Sequence, residues 1–126
     1  MRTYDKFYIN GQWVEPIGKG TCEVINPATG EISATVPYGS TEDVDVAVSA
    51  ARNAFDSWSR TSAAERAGFL RKLAAEGEKR TADLTQTIID ELGMPIQNAA
   101  VFQVDPLAII CESFANKAKE MEEKLY

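Results

Sequence analysis

The hydrophobic period changes once along this chain, between Pro37 and Ser40, and that change separates an extended part from a helical one. Before it, apolar residues alternate: Ile32, Ala34 and Val36 share one face of a strand that Pro37 is expected to end. After it, Val44, Ala47, Val48, Ala51, Ala54, Phe55 and Trp58 recur at helical spacing, which predicts a helix with one buried stripe. Ser40 followed by Asp43 provides the N-cap and its acidic N3 residue.

The extended part carries its own turn signals. Asn10-Gly11 lies between Phe7-Tyr8-Ile9 and Gln12-Trp13-Val14, and a two-residue Asn-Gly turn, whose positions both need positive φ, predicts a β-hairpin. Glu15 to Thr21 reads as a loop and Cys22 to Ile25 as a second extended run. Asn26 to Gly30 then forms a turn, with Pro27 presetting φ and Gly30 taking the left-handed position.

The helical part restarts twice. Ser62 and Glu65 make a second capping box, opening a helix with Ala67, Leu70, Leu73 and Ala74 on one side and Arg71, Lys72, Glu76 and Lys79 largely opposite. From Thr81 the pattern resumes through Leu84, Ile88 and Leu92, and Gly93 with Pro95 closes it. Ala100, Val104, Leu107, Cys111, Phe114, Ala118, Met121 and Leu125 are spaced alternately by four and three, a heptad seam with Pro106 inside it. A proline in a helix interior costs roughly 3 kcal/mol, so a helix from Pro106 onward with a kink or separate turn before it is expected. The fold class is therefore α+β: an N-terminal antiparallel β-hairpin or meander over 1–38, then three to four amphipathic helices over 40–126, in one partial domain without an internal boundary.

Composition narrows the chemistry. A net charge of −6, from 13 Lys and Arg against 19 Asp and Glu, opposes nucleic-acid binding, which needs clustered positive charge. No apolar run reaches the roughly 20 residues of a membrane span and no signal-peptide core follows Arg2, so a cytoplasmic protein without a membrane partner is expected. Histidine is absent, which removes Ser-His and Cys-His nucleophile pairs.

Each remaining candidate reads more simply as structure. Gly18-Lys19-Gly20-Thr21 lacks the spacing of a phosphate loop and leads into strand-like residues. Cys22 starts a strand with no basic neighbour expected, and Cys111 sits on the apolar seam as a small buried hydrophobe. Asp90 and Glu91 are sequence neighbours, which diverge by about 100° on a helix and do not converge as an acid and base would. Phe55, Trp58 and Trp13 are expected in the core, and the tail "NKAKEMEEKLY" is expected to be mainly the solvent face of the last helix.

The order of motifs carries more than any single one. "YINGQWV", "VINPATGEISATVP", "STEDVDVAVSAARNAFDSW", "AERAGFLRKLAAEGEK" and "ELGMP" together resemble, in order and spacing, the N-terminal portion of NAD(P)-dependent aldehyde dehydrogenases, from about Phe7 to the end of the chain. The Asn26-Pro27-Ala28-Thr29-Gly30-Glu31 motif and the helix opening Asp43-Val44-Asp45 are the most specific parts of the likeness.

The resemblance implies a chain several times longer, with a cofactor-binding α/β domain, a catalytic domain and an oligomerisation arm. Such enzymes oxidise an aldehyde through a cysteine thiolate, with NAD or NADP taking the hydride and a glutamate base assisting release of the acid. Their catalytic asparagine, glutamate and cysteine and their glycine-rich cofactor turn have no counterpart among these residues, so no catalytic or cofactor-binding role falls to any of them, Cys22 and Cys111 included. Some relatives hold a monovalent cation with a backbone carbonyl and a carboxylate that correspond here to Ile25 and Glu91; Met94 stands where the family commonly has Lys.

The resulting expectation is an N-terminal portion of an aldehyde dehydrogenase without turnover by itself. It would bind no cofactor tightly and would associate with copies of itself through exposed helix faces. The alternative is a non-catalytic helical module that self-associates or binds a partner.

Overall fold

The computed structural model describes residues 2–124, with the backbone alone at Arg2, Lys119 and residues 121–124. The seam positions Met121 and Leu125 and the end of the acidic tail therefore lie outside the described side chains. Contacts gather the chain into two compact units, Met1–Arg60 and Thr61–Tyr126.

The first unit holds five strands and a helix: β1 (Arg2–Thr3), β2 (Phe7–Ile9), β3 (Gln12–Val14), β4 (Gly20–Ile25), β5 (Ile32–Tyr38) and α1 (Thr41–Trp58). β2 and β3 form the expected hairpin, with Ile9 opposite Gln12 and positive φ at both Asn10 (53°) and Gly11 (76°). β4 and β5 pair antiparallel, and β1 adds a short parallel pairing on the far side of β5, giving the order β1-β5-β4.

The turn between β4 and β5 is held by its own polar groups. Asn26 Oδ1 accepts from the amides of Ala28 (2.8 Å) and Thr29 (3.3 Å), and the Glu31 amide donates to Thr29 Oγ1 (3.2 Å). The Gly30 amide donates to the Asn26 carbonyl at 2.8 Å, a closure for which Gly30 takes φ 75°. A side chain that bonds its own backbone in this way fixes the turn without tertiary support.

Pro37 does not end its strand, because β5 runs on to Tyr38 with Pro37 opposite Thr21. β1 reaches only as far as Thr35, whose carbonyl accepts the Tyr4 amide at 3.0 Å. Beyond that point β5 has an open edge, where a residue lacking an N–H is tolerated.

α1 begins as expected, with the Ser40 and Asp43 side chains capping each other's backbone. Its stripe is not buried, however: Val44 is 56% exposed, Val48 61%, Phe55 53% and Trp58 49%. Trp13, at 68%, is likewise outside the core, stacked at a tilt on Tyr8 with ring centroids 5.2 Å apart. An amphipathic pattern states which face seeks cover, and among the described residues of this unit the large side chains of that stripe stay about half exposed or more.

The second unit is helical: α2 (Ala63–Lys79), α3 (Thr81–Leu92), the single turn α4 (Ile96–Ala99), a π-helical turn at Ala100–Val104, and α5 (Asp105–Lys124). Ser62 and Glu65 form the second capping box, and Gly93 closes α3 in the left-handed conformation with φ 67°.

The π turn explains the proline on the seam. The Asp105 amide reaches back five residues to the Ala100 carbonyl. Pro106 has no N–H for the Phe102 carbonyl and its ring would collide with that carbonyl in a regular α-turn; the wider turn relieves both problems. Pro106 then stands in the first turn of α5, as expected.

α2 and α5 pack antiparallel: Arg71 bonds Glu112 and Asn116 (2.9–3.3 Å), while Gly77 faces Leu107. The buried line through the π turn and α5 runs Val104, Cys111, Ala115, and not through Phe114, which is 64% exposed while Ala115 is fully buried. On α2, Ala67 and Gly77 are buried, Leu73 is exposed, and Arg71 turns toward α5 instead of away from it. Both shifts share a cause, since the contact is centred on small residues that allow close approach and not on the largest apolar side chains.

Candidate functional site

The residues that could carry chemistry are spread over both units. In the first, the loop before β4 ends against the start of α1. The amides of Ile17 and Gly18 donate to the Asp43 carboxylate, at 2.8 Å to Oδ1 and 3.0 Å to Oδ2, and the Ser40 amide (2.9 Å) and hydroxyl (2.8 Å) also donate to Oδ2. Asp43 is only 6% exposed, the one charged residue in the core among the described residues. The Ile17 amide, then those of Ser40 and Gly18, hold its carboxyl well below the usual carboxylate range.

This arrangement settles the glycine-rich loop. The amides of Ile17 and Gly18 are already directed at an internal carboxylate. Sequence reasoning identified Asp43 only as a helix cap. Its second role required a loop 25 and 26 residues away to return to it, and no local pattern encodes that approach.

Cys22 is exposed on β4, with its thiol 3.7 Å from the Glu23 carbonyl, and Cys111 is buried on the α2 side of α5; both are free thiols. Asp90 is half-buried and accepts from Gln86 Nε2 at 2.8 Å, while Glu91 is exposed. The two carboxylates therefore occupy different surroundings, as their angular separation requires. No group of three or more Cys, Asp or Glu side chains among the described residues is arranged to hold a metal ion.

Ile25 is the last residue of β4, at a register irregularity opposite Ile32, and its carbonyl immediately precedes the Asn26-Pro27 turn. Glu91 lies in the last turn of α3, just before Gly93. Ile25 and Glu91 belong to separate compact units. The order and spacing of these elements together carry more than any one of these positions.

That pattern matches the aldehyde dehydrogenase family over residues 13–126. The chain belongs to the aldehyde dehydrogenase family. It is 45% identical over 101 residues to the 3-succinoylsemialdehyde-pyridine dehydrogenase of a Pseudomonas species, a match covering 80% of this chain and 21% of that protein. The fold agrees with the crystal structure of an aldehyde dehydrogenase from Bartonella henselae, with a TM-score of 0.91 and 40% identity over 95% of this chain and 25% of that one. It agrees also with a Mycobacterium tuberculosis aldehyde dehydrogenase complexed with NAD+, with a TM-score of 0.88 and 33% identity over 94% of this chain and 25% of that one. The chain spans about a fifth of the length of the curated relatives it matches and corresponds to the N-terminal portion of the family. Among the described residues no helix is long and apolar enough to cross a membrane.

Proposed function

We propose that these residues serve an aldehyde dehydrogenase that oxidises an aldehyde to the carboxylate with NAD+ or NADP+, and that their part in it is support. They form one partial domain, the N-terminal segment of the cofactor-binding domain, with the β elements of 1–38 leading into the helices of 40–126. The observation that carries this reading is the agreement of 95% of the chain with a quarter of the Bartonella henselae enzyme. The NAD+ bound by the Mycobacterium tuberculosis relative favours NAD+ as the cofactor of the whole enzyme. NAD+ or NADP+ would accept the hydride; the described residues supply packing and helix launching, and this chain alone binds neither cofactor tightly.

Ile25 and Glu91 contribute a carbonyl and a carboxylate to a monovalent-cation site of the whole enzyme. The donor chemistry fits, because hard cations take oxygen ligands. Two donors are fewer than such an ion needs, so further ligands come from elsewhere. The protein acts in the cytoplasm, consistent with its free thiols, one of them exposed. Copies of the chain associate through exposed helix faces, since its large exposed apolar residues include Val48, Phe55, Ile109 and Phe114.

The test is an NADH-release assay with a panel of short aldehydes. The 126-residue chain should remain at buffer level, and a chimera that completes it with the remainder of the Bartonella henselae enzyme should turn over. Saturable activity in the chain alone, abolished by substitution of Cys22 or Cys111, would overturn the supporting role.

A further inference from the structure

We propose that Asn10, at the tip of the β2–β3 hairpin, is a site of spontaneous covalent modification: its side chain cyclises onto the Gly11 amide, and water opens the ring to isoaspartate or aspartate. The change adds a negative charge at the tip, and its isoaspartyl product remodels the hairpin.

The step needs water alone as co-reactant. The Gly11 nitrogen attacks Asn10 Cγ; the Cγ–Nδ2 bond breaks, and the Gly11 amide proton leaves with the side-chain nitrogen as ammonia, giving a five-membered imide. Water opening the ring at the Asn10 main-chain carbonyl leaves isoaspartate, with the backbone running through Cγ. Water opening it at Cγ leaves aspartate.

The hairpin supplies what this attack requires. Ile9 and Gln12 are the last pair of the ladder, so the Gly11 amide lies in the two-residue loop outside it. Gly11 has no side chain to hinder the nitrogen, and among the described residues a Cβ placed there would meet no atom within 4 Å. Asn10 and Gly11 are both exposed. Ring closure also needs rotation about the Asn10 backbone, which the closed turn resists and an opened one allows. Opening is cheap here: β2 and β3 have three residues each and form a sheet of their own, the kind of hairpin that is marginal in water. Its anchor, Phe7 against Gly39, is at the far end from the tip, which borders a cleft lined by the small side chains of Ala47 and Ala54.

The other four asparagines each lack a requirement. Asn26 precedes Pro27, which has no N–H to lose, and its Oδ1 is held by the amides of Ala28 and Thr29. Asn53, Asn98 and Asn116 lie in α1, α4 and α5 and are followed by Ala54, Ala99 and Lys117, each with a Cβ beside a backbone held in helical geometry. The Ala99 amide, for one, already donates to the Pro95 carbonyl at 3.0 Å.

The two products differ in consequence. Aspartate tolerates the left-handed conformation that Asn10 occupies. Isoaspartate lengthens the main chain of the loop by one carbon, so the two-residue turn that sets the Ile9–Gln12 register is lost, and with it the stacking of Tyr8 on Trp13 at 5.2 Å.

Ageing the 126-residue chain in mildly alkaline buffer tests this, with tryptic digestion, mass spectrometry of the peptide from Phe7 to Lys19, and methyl transfer by an isoaspartyl methyltransferase to count isoaspartate. That peptide holds Asn10 as its one asparagine. It should gain the mass difference between an amide and an acid, with isoaspartate present, at a rate within about tenfold of that in guanidinium, because the hairpin opens at little cost. Gly11→Ala should suppress the change in both solvents, a readout that does not depend on whether the variant keeps its hairpin. The near-ultraviolet circular dichroism of the aged chain should weaken, while freshly made Asn10→Asp keeps the wild-type signal. A native chain that reacts more slowly than that tenfold limit would show that the turn protects Asn10 and would overturn the proposal. Equal rates in wild type and Gly11→Ala, or aspartate without isoaspartate, would overturn attack by the Gly11 amide. An unchanged dichroism signal in a chain rich in isoaspartate would overturn the remodelling.

Discussion

Gly77 is the position where one methyl group should reveal most about how the helical unit is packed. A Cβ placed there meets Leu107 Cδ2 at 2.5 Å, whereas Leu107 Cγ, at 3.6 Å, is in ordinary contact. Carbon atoms pack best at about 3.5–4.0 Å, so Gly77→Ala requires that Leu107 methyl to move by roughly 1 Å. Two opposing terms follow. Replacing glycine by alanine in a helix gains up to about 1 kcal/mol, and forcing an extra methyl into a packed contact costs roughly 1–3 kcal/mol. Leu107 is half-buried and borders a cleft of about 290 Å³ shared with Ala74, Val104 and Ala108, so it has somewhere to turn, at about 0.5–1.5 kcal/mol for leaving its rotamer. Gly77→Ala should therefore destabilise the chain by about 0–2 kcal/mol. In a Leu107→Ala background the obstructing methyl is gone, and the same substitution should stabilise by up to about 1 kcal/mol. Urea unfolding followed by far-ultraviolet circular dichroism on the four members of the cycle measures this, and the expected coupling is about 1–3 kcal/mol. An equal effect of Gly77→Ala in both backgrounds would refute the close approach of α2 and α5 at this point.

Three further outcomes are expected. Asp43 has a carboxyl held far below its unfolded value of about 3.9, so its contribution is fully present above that value and is lost as pH falls toward the folded one. Unfolding midpoints should therefore decline below about pH 4 in the wild type and decline less steeply in Asp43→Asn, and equal slopes would show that the carboxylate is not held by the Ile17 and Gly18 amides. Ser62→Ala removes the hydroxyl that accepts the Glu65 amide at 3.2 Å and should lower stability by about 1 kcal/mol in the same urea titration, with Ser62→Asp close to wild type. A thiol reagent should label Cys22 in the native chain and Cys111 only when the chain opens, as read by intact mass against time; equal labelling rates would contradict the burial of Cys111.

Local patterns were legible wherever a residue acts on its own neighbours. The Asn10-Gly11 hairpin, the Asn26 to Gly30 turn, both capping boxes and the Gly93 helix end depend on groups within a few residues of one another. The family was legible for a related reason, because those signals occur in a fixed order and spacing that survives in the sequence itself.

What the sequence by itself determined, then, was most of the elements, with their caps and turns. The tertiary structure decided which faces meet. The heptad spacing favoured Phe114, yet α5 turns Ala115 to α2, because close packing beside Gly77 rewards small side chains over greasy ones. It also decided that β1 joins β5 in parallel and that Asp43 closes on Ile17 and Gly18, contacts between residues far apart in the chain. Amphipathic periodicity determines that a face is apolar and leaves its partner unspecified, which is why the stripe of α1 could be read from the sequence while its exposure could not.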